Sequence, residues 1–174
     1  MQDSKGNVIW ITGFSGAGKT TVARILQGKL RKAGKVSFLV DGDEMRQVLG
    51  CQESYSPESR IELSFIYSRL CQKLSDDGID VICSTMSLFE EVRRWNRENI
   101  LNYTEVYLRV PYEVLADRGA KGLYEKYEGL DDPEKAISKE FESPLTPDLI
   151  IENYPPLTSE IAAIKIIERV FPKP

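Results

Sequence analysis

The residues best suited to chemistry stand at 13–20, where Gly13-Phe14-Ser15-Gly16-Ala17-Gly18-Lys19-Thr20 matches G-x-x-x-x-G-K-[ST]. That spacing serves anion binding. The glycines let successive backbone N–H groups turn inward around a β-phosphate, and a helix starting near Gly18 adds the positive end of its dipole. The Lys19 ammonium reaches the β and γ oxygens, and the Thr20 hydroxyl is offered to Mg2+. A glycine turn that only joined a strand to a helix would need neither the lysine nor the threonine. Gly13, Ser15, Gly16, Ala17, Gly18, Lys19, Thr20 and Thr21 are therefore the expected ATP-binding residues.

The chain contains no histidine, which removes histidine bases, Ser-His-Asp chemistry and histidine metal sites. Carboxylates, lysines and backbone amides are left to carry a reaction. Asp41 and Asp43 flank Gly42 after an apolar run, and one of them is the expected base while Asp41 also joins Thr20 as a Mg2+ residue. Which of the two is the base stays open at this level. Phosphoryl transfer is mostly positioning, so a base need only orient an acceptor hydroxyl and take its proton. Arg46 and Arg60 are placed to hold an anionic acceptor with bidentate contacts. Ser84-Thr85-Met86-Ser87 offers hydroxyls and backbone amides to the same crevice. Further on, Lys121 is placed to neutralise the transferring phosphate, and Arg118 to lie flat on the nucleotide base.

These residues need a scaffold that brings strand ends together. Short β-branched runs at 8–12, 36–40, 79–83, 104–110 and 148–151 alternate with helical stretches near 18–32, across 61–74 until Asp77-Gly78 closes it, and near 88–101 and 159–170. In the second of these helices Ile61, Phe65, Leu70 and Leu74 recur as an apolar face. Residues between 41 and 56 read as a turn followed by a polar loop. Strands separated by helices of this length imply right-handed crossovers, hence an α/β fold: a three-layer αβα sandwich with a mostly parallel five-stranded sheet. The irregular stretch 119–147 is expected to be a lid closing over substrate.

Composition narrows the function classes. The 174 residues are one domain's worth, and 41% hydrophobic residues supply a core. A net charge of −4 disfavours a broad grip on nucleic acid. No apolar run approaches the ~20 residues of a membrane span, and the polar start fits neither a signal nor a transit peptide, so a cytoplasmic protein is expected. The three cysteines Cys51, Cys71 and Cys83 form no C-x-x-C pair and are expected to be buried thiols. The absence of an N-K-x-D run argues against a guanine-reading GTPase, and a motor would need more chain. A small-molecule kinase remains, with a non-catalytic nucleotide-binding module as the alternative of another class. A module of that kind should have lost Lys19, Thr20 or the aspartates, and all are present.

The motifs GFSGAGKTT, DGDEMR, YSPESR, AKGLYEKY, GLDDP and PDLIIEN follow in this order between residues 8 and 153. In order and approximate spacing they resemble the adenylylsulfate (APS) kinases, and KGLY followed by D-D-P is the most specific part. The resemblance implies ATP, Mg2+, transfer of the γ-phosphoryl to the ribose 3′-hydroxyl of adenylylsulfate, and a homodimer. It implies that Asp41 and Asp43 form the family's D-G-D motif and that Arg46 and Arg60 are its acceptor arginines. Ser87 and Lys121 match its S-P-Y-R serine and its KGLY lysine, and Tyr127 stands near the place of an adenine-stacking phenylalanine.

The departures cluster around the acceptor. Where the family reads A-S-F-I-S-P-Y-R, Thr85 replaces an aromatic and Glu90 an arginine, and Leu63 replaces an asparagine. The expectation is a weaker grip on adenylylsulfate, a like-charge meeting between Glu90 and its anionic tail, and a gain from Glu90→Arg. A divergent branch of the family that phosphorylates cytidine diphosphoramidate is the alternative acceptor class.

Overall fold

The computed structural model describes residues 5–51, 56–118, 124–127, 129–137 and 139–172. Val8–Thr12 (β1) is buried at every position, as a strand covered on both faces requires, which is why it reads as an unbroken apolar run. Its neighbours are Ser37–Asp41 (β2), Asp80–Ser84 (β3), Tyr103–Arg109 (β4) and Leu149–Glu152 (β5), all parallel, in the order β2-β3-β1-β4-β5. The register matters for function. Asp41 lies beside Ser84, Ser84 beside Ile11, and Thr12 beside Tyr107, so the carboxyl ends of four strands open on one edge.

Alternation along β1 sorts the core into two layers. Ile9 and Ile11 pack with residues of Lys19–Lys32 (α1) and Ser159–Val170 (α7). Val8 and Trp10 pack with Pro57–Asp76 (α3) and Glu90–Asn99 (α4). The expected three-layer αβα sandwich is thus the architecture found, with the sheet wholly parallel.

Two expectations are corrected. The loop expected between 41 and 56 begins with a helix, Gly42–Val48 (α2), capped by the Asp41 side chain and carrying Asp43 and Glu44 in its first turn. The cap and the acidic start are ordinary helix signals, but two turns are too few to show an apolar period. In α3 the buried face is Leu63, Tyr67 and Cys71 with Ser64, Ser68 and Ser75, while Ile61, Phe65, Leu70 and Leu74 flank it half-buried. Small serines let the helix approach the sheet, and Ser64 and Ser75 return hydrogen bonds to carbonyls of their own helix. Apolarity alone therefore pointed to the wrong face. Within 119–147, the described residues form a 3-10 turn, Glu125–Tyr127, and a short helix, Pro133–Ile137 (α6), preceded by Tyr112–Asp117 (α5).

The cysteines are free, Cys71 and Cys83 buried and Cys51 only half so. Burial pushes the Cys83 thiol well above its ordinary range. In native protein, thiol-specific labelling followed by mass analysis should modify Cys51 alone, with Cys71 and Cys83 reacting only after unfolding. Labelling of Cys83 in the folded protein would contradict this packing.

Candidate active site

The 13–18 loop joins β1 to α1 as its motif requires, and α1 begins at Lys19 with Gly18 as its cap. Gly18 holds φ +87°, and a Cβ there would stand 2.6 Å from Asn153 Nδ2, so both backbone and space demand glycine. Asn153 Nδ2 donates to Ala17 O at 2.7 Å, Arg118 Nη1 donates to Gly16 O at 2.9 Å, and Tyr124 Oη donates to Ser15 O at 2.6 Å. Three side chains from remote parts of the chain thus engage three of the loop's carbonyls and fix its backbone, while the Ala17 N–H donates to Phe14 O within the loop. Arg118 also reaches Asn153 O at 3.2 Å. Arg118 thus braces the phosphate loop, a different place from the expected one flat on the nucleotide base.

Asn153 and Tyr124 were not among the expected site residues. Their signal lay in motifs already quoted, as the last residue of PDLIIEN and the tyrosine of KGLY. Asn153→Ala should raise the ATP KM roughly five- to thirtyfold with a smaller change in kcat, because it loosens the cradle without touching the reacting atoms. Steady-state kinetics with varied ATP checks this, and an unchanged KM would count against the bracing role.

Lys19 is half-buried and folds back over the loop, donating from Nζ to Phe14 O at 2.8 Å. Thr20 Oγ1 donates to Asp41 Oδ2 at 2.7 Å. Asp41, only 3% exposed, also accepts at Oδ1 from the backbone N–H groups of Asp43 (3.1 Å) and Glu44 (3.4 Å). One carboxylate therefore ties the first turn of α1 to the start of α2. Asp43 differs sharply: its side chain is 55% exposed and stands 3.6 Å from Arg46, whose own side chain is 12% exposed. Gly42 lets this turn lie against the end of β3, since a Cβ there would meet Thr85 Oγ1 at 3.0 Å. Tyr67 Oη donates to Gly42 O, and desolvation pushes its pKa up to about 12.

The run after β3 is more closed than expected. Ser84, Thr85 and Ser87 are buried, and the Ser84 and Ser87 hydroxyls have no partner among the described residues. Met86 is the half-exposed member, and its Sδ accepts from Arg60 Nη1 at 3.8 Å. The crevice is thus offered a thioether held by an arginine, where hydroxyls had been expected. Thr21 is exposed on α1, and Lys121 lies outside the described residues.

Three further residues depart from expectation. Tyr127 is buried in the α1/α7 layer, which does not bring it to Arg60 and Met86. The ring beside Arg60 is Phe141, 6.0 Å from the guanidinium carbon and edge-on to Phe14 at 6.2 Å. Leu63 is a core residue of the other layer. Glu90 accepts two hydrogen bonds from the buried Arg93, so its charge is already engaged and does not simply face an acceptor's anionic tail. A cavity of about 360 Å3 lies at the ends of β4 and β5, lined by Phe14, Arg109, Glu152, Tyr154, Ile137 and Ser143 among others, and by none of the acceptor candidates.

The family model for adenylylsulphate kinase matches residues 5–152. The chain belongs to the adenylyl-sulfate kinase family. It is 38% identical over 169 residues to the adenylyl-sulfate kinase of Halothermothrix orenii, covering 97% of this chain and 91% of that one. It is 36% identical over 147 residues to the cytidine diphosphoramidate kinase of Campylobacter jejuni, covering 84% and 85%. Among solved structures, Mycobacterium tuberculosis APS kinase CysC in complex with AMPPNP and APS is similar with TM-score 0.79 and 28% identity, over 95% of this chain and 97% of that one. As an adenylyl-sulfate kinase family member the chain is an ATP-dependent nucleotide kinase. No helix among the described residues is long and apolar enough to cross a membrane.

Proposed function

We propose that this kinase transfers the γ-phosphoryl group of ATP to the ribose 3′-hydroxyl of adenylylsulfate, giving 3′-phosphoadenylylsulfate. The observation that supports it most is the series of contacts Thr20 to Asp41, Asp41 to Asp43 and Asp43 to Arg46 where β2 ends beside the phosphate loop's helix. That succession from the phosphate loop through two carboxylates to a cation supports a reading in which ATP is held at one end and an anionic acceptor at the other.

In this reading Lys19 leaves the Phe14 carbonyl for the β and γ oxygens of ATP and neutralises charge as the γ-phosphoryl moves. Asp43, exposed and close to Arg46, orients the 3′-hydroxyl. The acceptor oxygen bonds to the γ-phosphorus, the bond from that phosphorus to the bridging oxygen of ADP breaks, and the hydroxyl proton passes to Asp43. Arg46 and Arg60 hold the acceptor's anionic groups, and Lys121 is proposed to screen the same transferring oxygens. The Thr20 hydroxyl and Asp41 carboxylate, 2.7 Å apart, are a hard oxygen pair that fits Mg2+. Mg2+ bound there would neutralise developing charge on the phosphate oxygens. Among the described residues no group of three or more His, Cys, Asp or Glu side chains stands ready for a metal, so phosphate and water oxygens would complete its shell.

A second acceptor, cytidine diphosphoramidate, is supported by the likeness to the Campylobacter relative. Both acceptors present a ribose 3′-hydroxyl and a diphosphate-like anion to the same residues. ADP release measured with Mg2+-ATP and each acceptor in turn separates them. Acceptor-dependent release with adenylylsulfate at a kcat/KM at least roughly tenfold above the cytidine compound is the expected result. The reverse ratio would move the assignment to the cytidine compound, and no dependence on either would refute the proposal.

A further inference from the structure

The backbone at 141–143 is pinned to α4 and the residues before it by contacts that the transfer chemistry does not use. Glu142 N–H donates to Leu88 O at 2.8 Å, and Glu90 N–H donates to Glu142 Oε2 at 2.6 Å. Arg93 closes the ring, donating from Nη1 to Glu142 O at 2.8 Å and from Nη2 to Glu90 Oε2 at 2.7 Å. Arg93 is 2% exposed and also stands 3.4 Å from the buried Glu105 carboxylate, so its guanidinium has little freedom to turn elsewhere. Ser143 adds a hydroxyl contact to Tyr107 at 3.2 Å.

The residue held in place by this ring is Phe141. It is 3% exposed, edge-on to Phe14 of the phosphate loop, 6.2 Å from Phe89, and its ring carries the Arg60 guanidinium. An arginine is a long side chain whose fixation costs rotamer entropy, and a fixed aromatic face reduces that cost at the moment of binding. We propose that Glu90, Arg93 and Glu142 are positioning residues that set Phe141, and through it Arg60, for the acceptor. The proposal rests on the acceptor role assigned to Arg60 above. It also accounts for the acidic residue at 90: an arginine there would confront buried Arg93 and open the ring.

Glu142→Ala removes one acceptor of the ring and keeps the backbone contacts, whereas Glu142→Gln keeps an oxygen for Glu90 N–H. With whichever of adenylylsulfate and cytidine diphosphoramidate the wild type turns over, Glu142→Ala should raise the acceptor KM roughly five- to twentyfold and leave the ATP KM within about twofold. Glu142→Gln should stay within about twofold of wild type for both, and Glu90→Arg should raise the acceptor KM. Unmoved constants in Glu142→Ala, a parallel rise in both, or equal damage in Glu142→Gln would overturn the proposal. If the wild type uses neither acceptor, the functional reading fails and the ring is judged separately by NMR. The Arg60 Nε–H resonance, shifted by the Phe141 ring current, should then move in Glu142→Ala and stay in Glu142→Gln. An unmoved resonance in Glu142→Ala would refute the positioning role.

Discussion

Lys19→Ala is expected to lower kcat for acceptor-dependent ADP release by roughly a thousandfold or more, which is about 4 kcal/mol of barrier. The loss is large because the ammonium acts on charge that develops in a low-dielectric cradle, where water cannot replace it. The fold should survive. In the free protein the same ammonium donates to Phe14 O, a bond worth about 1 kcal/mol, and the loop keeps its braces from Arg118, Tyr124 and Asn153. Paired measurements of kcat and thermal stability test both halves. A variant retaining more than about a tenth of wild-type kcat would count against the assignment, since that is only ~1.4 kcal/mol.

The two aspartates should separate when each is changed to asparagine and to alanine. Asp41 is buried, caps α2 and holds Thr20, so both Asp41→Asn and Asp41→Ala should lose roughly a hundredfold or more in kcat. Only the alanine variant should also lose stability, by about 1 kcal/mol, because asparagine caps a helix nearly as well as aspartate. Asp43 is exposed, and the cap of α2 is supplied by Asp41. Asp43→Asn should lower kcat by roughly ten- to a hundredfold while ATP affinity and melting temperature change little, the pattern of a residue acting on the acceptor proton. Wild-type kcat in both asparagine variants would make the Asp-Gly-Asp turn purely structural.

What could be read from the sequence followed the range of the interactions. The phosphate loop is contiguous, so its residues and its place between strand and helix were legible from spacing, and the five strands followed from short stretches rich in β-branched and apolar residues between turn signals. The helix α2 was hidden because its start coincides with a motif that also reads as a turn. The inward face of α3 was misplaced because serines, counted as polar, occupy half of it. Braces such as Asn153 on Ala17 and Tyr124 on Ser15 span more than a hundred residues, and no local pattern reports them. Glu90 is the sharpest case. Seen alone it is a reversed charge in an acceptor pocket, and only the fold supplies the buried arginine that it neutralises.

The reaction proposed is delivery of the γ-phosphoryl of ATP to a ribose 3′-hydroxyl of a nucleotide acceptor. Its most direct test is the structure of the product made from Mg2+-ATP and adenylylsulfate, determined by mass spectrometry and phosphorus NMR. A single added phosphate, appearing as a monoester coupled to the ribose H3′ proton in amounts equal to the ADP formed, is the predicted result. Formation of ADP and free phosphate alone, or a phosphate attached at any other position, would contradict it.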